Sequence, residues 1–196
     1  MKVIGAMTQL EIRLEGDPIL RQKATKISRV DDSVRRLAND MWETLGTADG
    51  VGLAAPQVGV GRRLIVVHLP AGYTEEDSPE VSLRLVNPEI VKSRGEVVGM
   101  EGCLSIPGWQ GEVERADQIT VKATDLNNRD VRLKLEGWPA RVVQHEIDHL
   151  DGILYTDRMR DEDSLYRVEE RDEDDDEEVE PLTEAADDAR VAEPVL

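Results

Sequence analysis

Apolar side chains recur at helical spacing over residues 31–47, where Val34, Leu37, Ala38, Met41, Trp42 and Leu45 fall on one face. Asp31, Asp32 and Ser33 offer N-cap oxygens before that run, and Gly46 with Ala48-Asp49-Gly50 ends it. The pattern predicts an amphipathic packing helix. The stretch Gly50–Gly61 holds four glycines and one proline, too many for regular structure throughout. Leu64-Ile65-Val66-Val67 predicts a short buried strand, and the polar stretch 71–82 a surface loop. Strand-like runs follow at Val81–Val86 and Ile90–Lys92. Ile119, Val121 and Ala123 alternate with polar residues, as do Val131, Leu133 and Leu135, with turn residues from Asp125 to Asp130 between. That pair predicts a β-hairpin with one wet face. Gly137-Trp138-Pro139 then opens a second helix, with proline expected at its first position, and Asp151-Gly152 closes it. Strands on both sides of one helix, followed by a hairpin feeding another, argue for an α+β fold rather than alternating βαβ units. Mixed or antiparallel sheets packed around the second helix are expected.

Charge divides the chain. Of its 196 residues 42 are acidic and 24 basic, a formal net of −18, yet residues 161–196 alone hold 17 of the acids and 3 of the bases. Residues 1–160 are therefore a nearly balanced domain with length enough for a sizeable core, and 161–196 an acidic tail. Seven successive acids, Asp172 to Glu178, repel one another and bury nothing, so the chain is expected to be disordered from about Glu169. A single cysteine forms no intrachain disulfide, and a thiolate ligand persists best in a reducing compartment. The first nine residues carry too short an apolar run for a secretory signal, and no stretch approaches the roughly 18 apolar residues of a membrane span. A cytoplasmic protein with no membrane partner is expected.

Two of the three histidines stand four apart in His145-Glu146-Ile147-Asp148-His149, inside the second predicted helix. Residues at that spacing share a face, about 6 Å apart along the axis, so both imidazoles can grip one metal ion. Cys103, in Glu101-Gly102-Cys103-Leu104-Ser105, is a soft third ligand suited to zinc or iron alike. Three protein ligands leave a position open, as catalytic sites do. A closed structural site would need another Cys or His, and only His68 remains; following a buried strand, it reads as a packing or surface residue. Glu146 points about 100° around the helix from His145. It flanks the ion without ligating it, the place for a general base that takes a proton from water and delivers it to a departing amine. Gln144 reads as support for the helix. On the HExxH pattern alone, a metallo-endopeptidase is the alternative, although its usual downstream His or Glu ligand is missing unless Cys103 substitutes.

With Gly50-Val51-Gly52-Leu53-Ala54-Ala55-Pro56-Gln57 added, the chain resembles the peptide deformylases. Three motifs carry the likeness in the family's order: GxGLAAPQ at Gly50–Gln57, EGCLS at Glu101–Ser105, and QHExDHL at Gln144–Leu150. Asp17-Pro18-Ile19-Leu20-Arg21 resembles the family's N-terminal segment, and the likeness covers roughly residues 10–158. It implies a peptide deformylase-like fold and removal of the formyl group from N-formylmethionyl peptides as they leave the ribosome. It also implies Cys103, His145 and His149 as metal ligands, and Glu146 as general acid/base. The Gln57 side-chain amide and the Leu104 N–H would hold the developing oxyanion. One divalent ion is implied, Fe(II) in the cell, with zinc or nickel able to substitute.

Val51, Gly52 and Gly102 would let an extended peptide pair with the backbone as an added strand. Val142 and Trp138 are candidate walls for the methionine side chain, and Arg115 with Asp148 a candidate ion pair fixing the ligand helix. Three departures stand out. Gly108-Trp109-Gln110-Gly111 lies where many relatives carry a basic residue, and Trp138-Pro139 replaces a smaller aliphatic pair. The acidic tail, with its net of −14, would repel RNA phosphates, so no direct nucleic-acid binding is expected of it and any ribosome encounter would be transient.

Overall fold

The computed structural model describes residues 9–159, 161 and 164–168. After a single helical turn at Pro18–Arg21 comes α1 (Asp32–Thr47). The Asp31 carboxylate accepts from the Ser33 and Val34 N–H groups, satisfying two donors that the helix leaves open. Val34, Ala38, Met41 and Leu45 form its buried face, as the spacing predicts, with Leu37 and Trp42 packed at its margin.

The strands are β1 (Gly52–Ala54), β2 (Leu64–Leu69), β3 (Val81–Arg94), β4 (Val97–Cys103), β5 (Ile106–Arg115), β6 (Gln118–Thr124) and β7 (Asp130–Glu136). Helix α2 (Gly137–Leu150) and a short β8 (Leu165–Arg167) complete the order. They form an antiparallel five-stranded sheet, β1-β2-β3-β6-β7, and a three-stranded one, β4-β5-β8. The fold is α+β, and β6–β7 is the expected hairpin, with Arg132 and Lys134 outward and Leu133 and Leu135 inward.

Three local expectations need correction. The runs at Val81–Val86 and Ile90–Lys92 belong to one strand, β3, whose pairing with β6 shifts register between Val86 and Glu89 and again between Ile90 and Lys92. Asn87 takes φ 51° there, its side chain bonded to both the N–H and the carbonyl of Ile27, and the bulge breaks the alternation that marks a continuous strand. The small sheet was not legible either. Glycines at 99, 102, 108 and 111 and outward charges leave β4 and β5 with little apolar alternation. Pro139 is the third residue of α2 rather than the first, still within the turn where no intrahelical N–H is needed.

Helix α2 lies on the inner face of the large sheet. Ala140, Val142, Val143, Ile147 and Leu150 pack against Ile65, Val67, Leu85, Ile119, Val121 and Ala123. On the opposite face α1 covers Leu53, Leu64 and Val66. A smaller cluster, with Ile106, Val113, Leu154 and Tyr155, underlies the small sheet. Every residue from Ala140 to Leu150 is buried, so the part of the helix carrying both histidines is enclosed, and only its first turn reaches solvent. Past residue 160 the described chain enters β8, which pairs with Trp109–Gly111 of β5. The disorder expected from about Glu169 lies outside the described residues. No helix among them is long and apolar enough to cross a membrane.

Candidate metal centre

Cys103 ends β4, and the tight connection to β5 turns its thiol toward α2. His145 and His149, one turn apart, present their Nε2 atoms 3.2 Å from each other, and Cys103 Sγ lies 3.3 Å from His149 Nε2. All three donor atoms fall within 4.8 Å of one another. In a tetrahedral site, bonds of ordinary length put two nitrogens about 3.3 Å apart and a sulfur and a nitrogen about 3.6 Å apart. The cluster matches that spacing, and its soft sulfur and two imidazoles suit a zinc- or iron-type ion. His68 is far from this chemistry: it stacks near Trp42 and faces Glu80.

Behind the donors is a buried ion network. His145 Nδ1 is 2.9 Å from Glu101 Oε2, which leaves Nε2 free to ligate. Arg115 donates to both Glu101 oxygens at 2.9 Å, and Arg141 to Oε1 at 2.8 Å. Arg115 also reaches Asp148, and Arg158 grips the same carboxylate through two bonds of 2.8 and 2.7 Å. Burial alone would raise the Glu101 carboxyl, but the bonds from Arg115 and His145 outweigh it and hold it well below the usual range. A carboxyl depressed by folding adds stability that is complete above its ordinary value and lost as pH falls below it. Burial, reinforced by the charges of His145 and Arg115, pushes His149 well down, toward the neutral imidazole that binds metals.

Glu146 is 3 % exposed, and its Oε2 has no hydrogen-bond partner among the described residues. Burial pushes its carboxyl up to about 7, partly opposed by the charge of His145. A carboxyl in that range exchanges protons readily near neutral pH. Gly52 makes room for it: a Cβ there would lie 2.2 Å from Glu146 Oε1. Gly52→Ala is therefore expected to displace the carboxylate and lower kcat by about 10²-fold. Circular dichroism of the variant should match the parent, and unchanged kcat would refute the dependence.

Gln57 is fully buried at the end of the motif loop. Its Oε1 accepts from the Ala54 N–H at 2.8 Å, which fixes the amide so that Nε2 faces Cys103 Sγ at 3.5 Å and Ser105 Oγ at 3.2 Å. Leu104 follows Cys103, and a Cβ on Gly50 would lie 2.8 Å from its side chain, so the first motif packs closely on the second. The structure thus brings together Cys103, His145, His149, Glu146, Gln57, Leu104 and Gly52.

Val51 precedes and Gly52 opens β1, an edge of the large sheet, while Gly102 is on β4, an edge of the small one. Val142 is buried one turn before Glu146, whereas Trp138 is a further turn away and half-exposed. Gln144 bonds the N–H and carbonyl of Ala116, tying α2 to the segment after β5. Sequence reasoning assigned no part to Glu101 or Arg141. Glu101 was within reach, since a residue two before Cys103 on a strand shares its face.

The polypeptide deformylase family model matches residues 9–164. A peptide deformylase of Thermomicrobium roseum is 58% identical over 159 residues, spanning 81% of this chain and 90% of its own. One from Dictyoglomus thermophilum is 51% identical over 152 residues, 78% of this chain and 94% of that one. Among solved structures, a peptide deformylase from Acinetobacter baumannii bound to Met-Ala-Ser superposes with TM-score 0.74 at 38% identity, over 78% of this chain and 99% of that one. The Synechococcus elongatus enzyme in complex with actinonin gives TM-score 0.71 at 41% identity, over 81% and 83%. The endopeptidase alternative is not favoured by these matches. The chain belongs to the peptide deformylase family.

Proposed function

We propose the following division of labour for the deformylation of nascent peptides, the activity of this family. Cys103, His145 and His149 would hold one divalent ion, which when bound would supply Lewis-acid chemistry and make water a better nucleophile. Glu146 takes a proton from the attacking water. It then delivers that proton to the methionyl nitrogen as the C–N bond breaks, giving formate and a free amine. Charge grows on the formyl oxygen meanwhile, and the Gln57 amide and the Leu104 N–H donate to it. The edges at Val51-Gly52 and Gly102 receive the extended peptide backbone, and Val142 with Trp138 receives the methionyl side chain. Glu146 carries this reading: a buried carboxylate with an unpartnered oxygen beside three converging donors has few other uses.

Iron is proposed as the cellular ion, with zinc or nickel able to substitute, in a cytoplasmic enzyme that meets the ribosome transiently through its substrate. β8 joins β5 and so carries the folded domain past residue 160; the acidic stretch that follows it is proposed as a tail taking no part in RNA binding. Protein loaded with Fe(II) without oxygen is expected to release formate from formyl-Met-Ala-Ser. No release from metal-bearing protein would sink the assignment of roles.

A further inference from the structure

Two large aromatic side chains are left half-exposed at the start of α2. Trp138 is 42% and Tyr73 50% exposed, and their rings meet edge to face, centroids 6.5 Å apart at 89°. Trp138 precedes Val142, His145 and His149 by four, seven and eleven residues, so it shares their face of α2. Tyr73 comes from the connection between β2 and β3. Because β2 runs antiparallel to β1, with Val67 opposite Gly52 and the His68 N–H donating to the Val51 carbonyl at 2.9 Å, that connection leaves the sheet beside Val51. It is braced internally: Gly72 N–H donates to Ser78 O at 2.9 Å, and Tyr73 N–H to Pro70 O at 3.2 Å.

We propose that Tyr73 is a positioning residue for the methionyl side chain, holding the Trp138 indole as the far wall of its pocket. This rests on the deformylase reading above. Seven helical residues place Trp138 about 10 Å along the axis from His145. An extended methionyl side chain ends about 7 Å from the formyl carbon. A methionyl side chain running along α2 from His145 toward Trp138 therefore covers most of that length. A thioether against an aromatic ring is a favourable partner there, and a shorter side chain does not reach it. Tyr73 never touches the reacting atoms; it acts through Trp138.

Steady-state kinetics of the metal-loaded enzyme on formyl-Met-Ala-Ser and formyl-Ala-Ala-Ser test this. Tyr73→Ala is expected to raise KM for the methionyl substrate about three- to tenfold, the worth of one aromatic pair, with kcat within about twofold. Tyr73→Phe, which keeps the ring, restores the parent KM. The alanyl substrate is indifferent to Tyr73→Ala, and adding that change to Trp138→Ala costs nothing further. Unchanged KM in Tyr73→Ala, an equal loss on the alanyl substrate, or additive effects of the two substitutions would each overturn the proposal. Absence of formate release by the parent enzyme would instead overturn the deformylase roles, and this inference with them. Turnover that ignores Tyr73 overturns the inference alone.

Discussion

Glu146→Gln should bind its metal as the parent protein does and lose about 10²–10⁴-fold in kcat, the usual worth of a positioned proton carrier. The amide has the size of the carboxyl and fits the space that Gly52 leaves, so the fold has no reason to change. What goes is the exchangeable proton. Glu146 contributes no atom to the cluster of Cys103, His145 and His149, and metal content is expected to stay at one ion per chain. Elemental analysis and formate release measured on one sample separate the two quantities. A variant that turns over at the parent rate would remove Glu146 from the reaction, and one that loses its metal would show the residue to be a ligand.

The second large effect is expected from Glu101→Gln. Its carboxylate receives Arg115 through two bonds and Arg141 and His145 through one each, all of them buried. Removing the anion leaves two guanidinium groups facing a neutral amide in a site closed to water. Breaking a buried ion pair in this way destabilises a protein by about 3–5 kcal/mol. It also releases the His145 ring, and loss of such an orienting partner commonly weakens metal affinity about 10–100-fold. Urea unfolding and a metal titration read the two effects separately. Parent-like stability would mean that Asp148 suffices for Arg115, and parent-like affinity that packing alone holds the imidazole.

The sequence carried the donors of the site more fully than their scaffold. Spacing put His145 and His149 on one face, and the soft chemistry of Cys103 joined it to them, because ligand identity and helical period are local properties. The first helix was legible for the same reason, with its cap at Asp31 and its apolar stripe. The network behind the site was only half visible. Arg115 and Asp148 were paired as candidates, but the reach of Arg141 to the carbonyls of Val97 and Val113 depends on β4 and β5 lying over α2. That sheet was itself hidden by glycines and outward charges. The continuity of β3 escaped because a bulge at Asn87 resets its alternation, a tertiary arrangement that residue order does not announce. Tyr73 escaped as well, since nothing in a polar loop says which helix it will touch.

The two strand edges beside the centre have a consequence for how this protein behaves in company. An open strand edge offers its unpaired N–H and carbonyl groups to any extended chain, including a second copy caught while folding. Here β1 is only three residues long, too short to template a stable cross-strand ladder. β4 is interrupted by Gly99 and Gly102 and ends in a register shift at Cys103. A formal charge of −18 keeps whole molecules apart in solution. One edge beside the centre is thus too brief, and the other too irregular at its end, to seed aggregation.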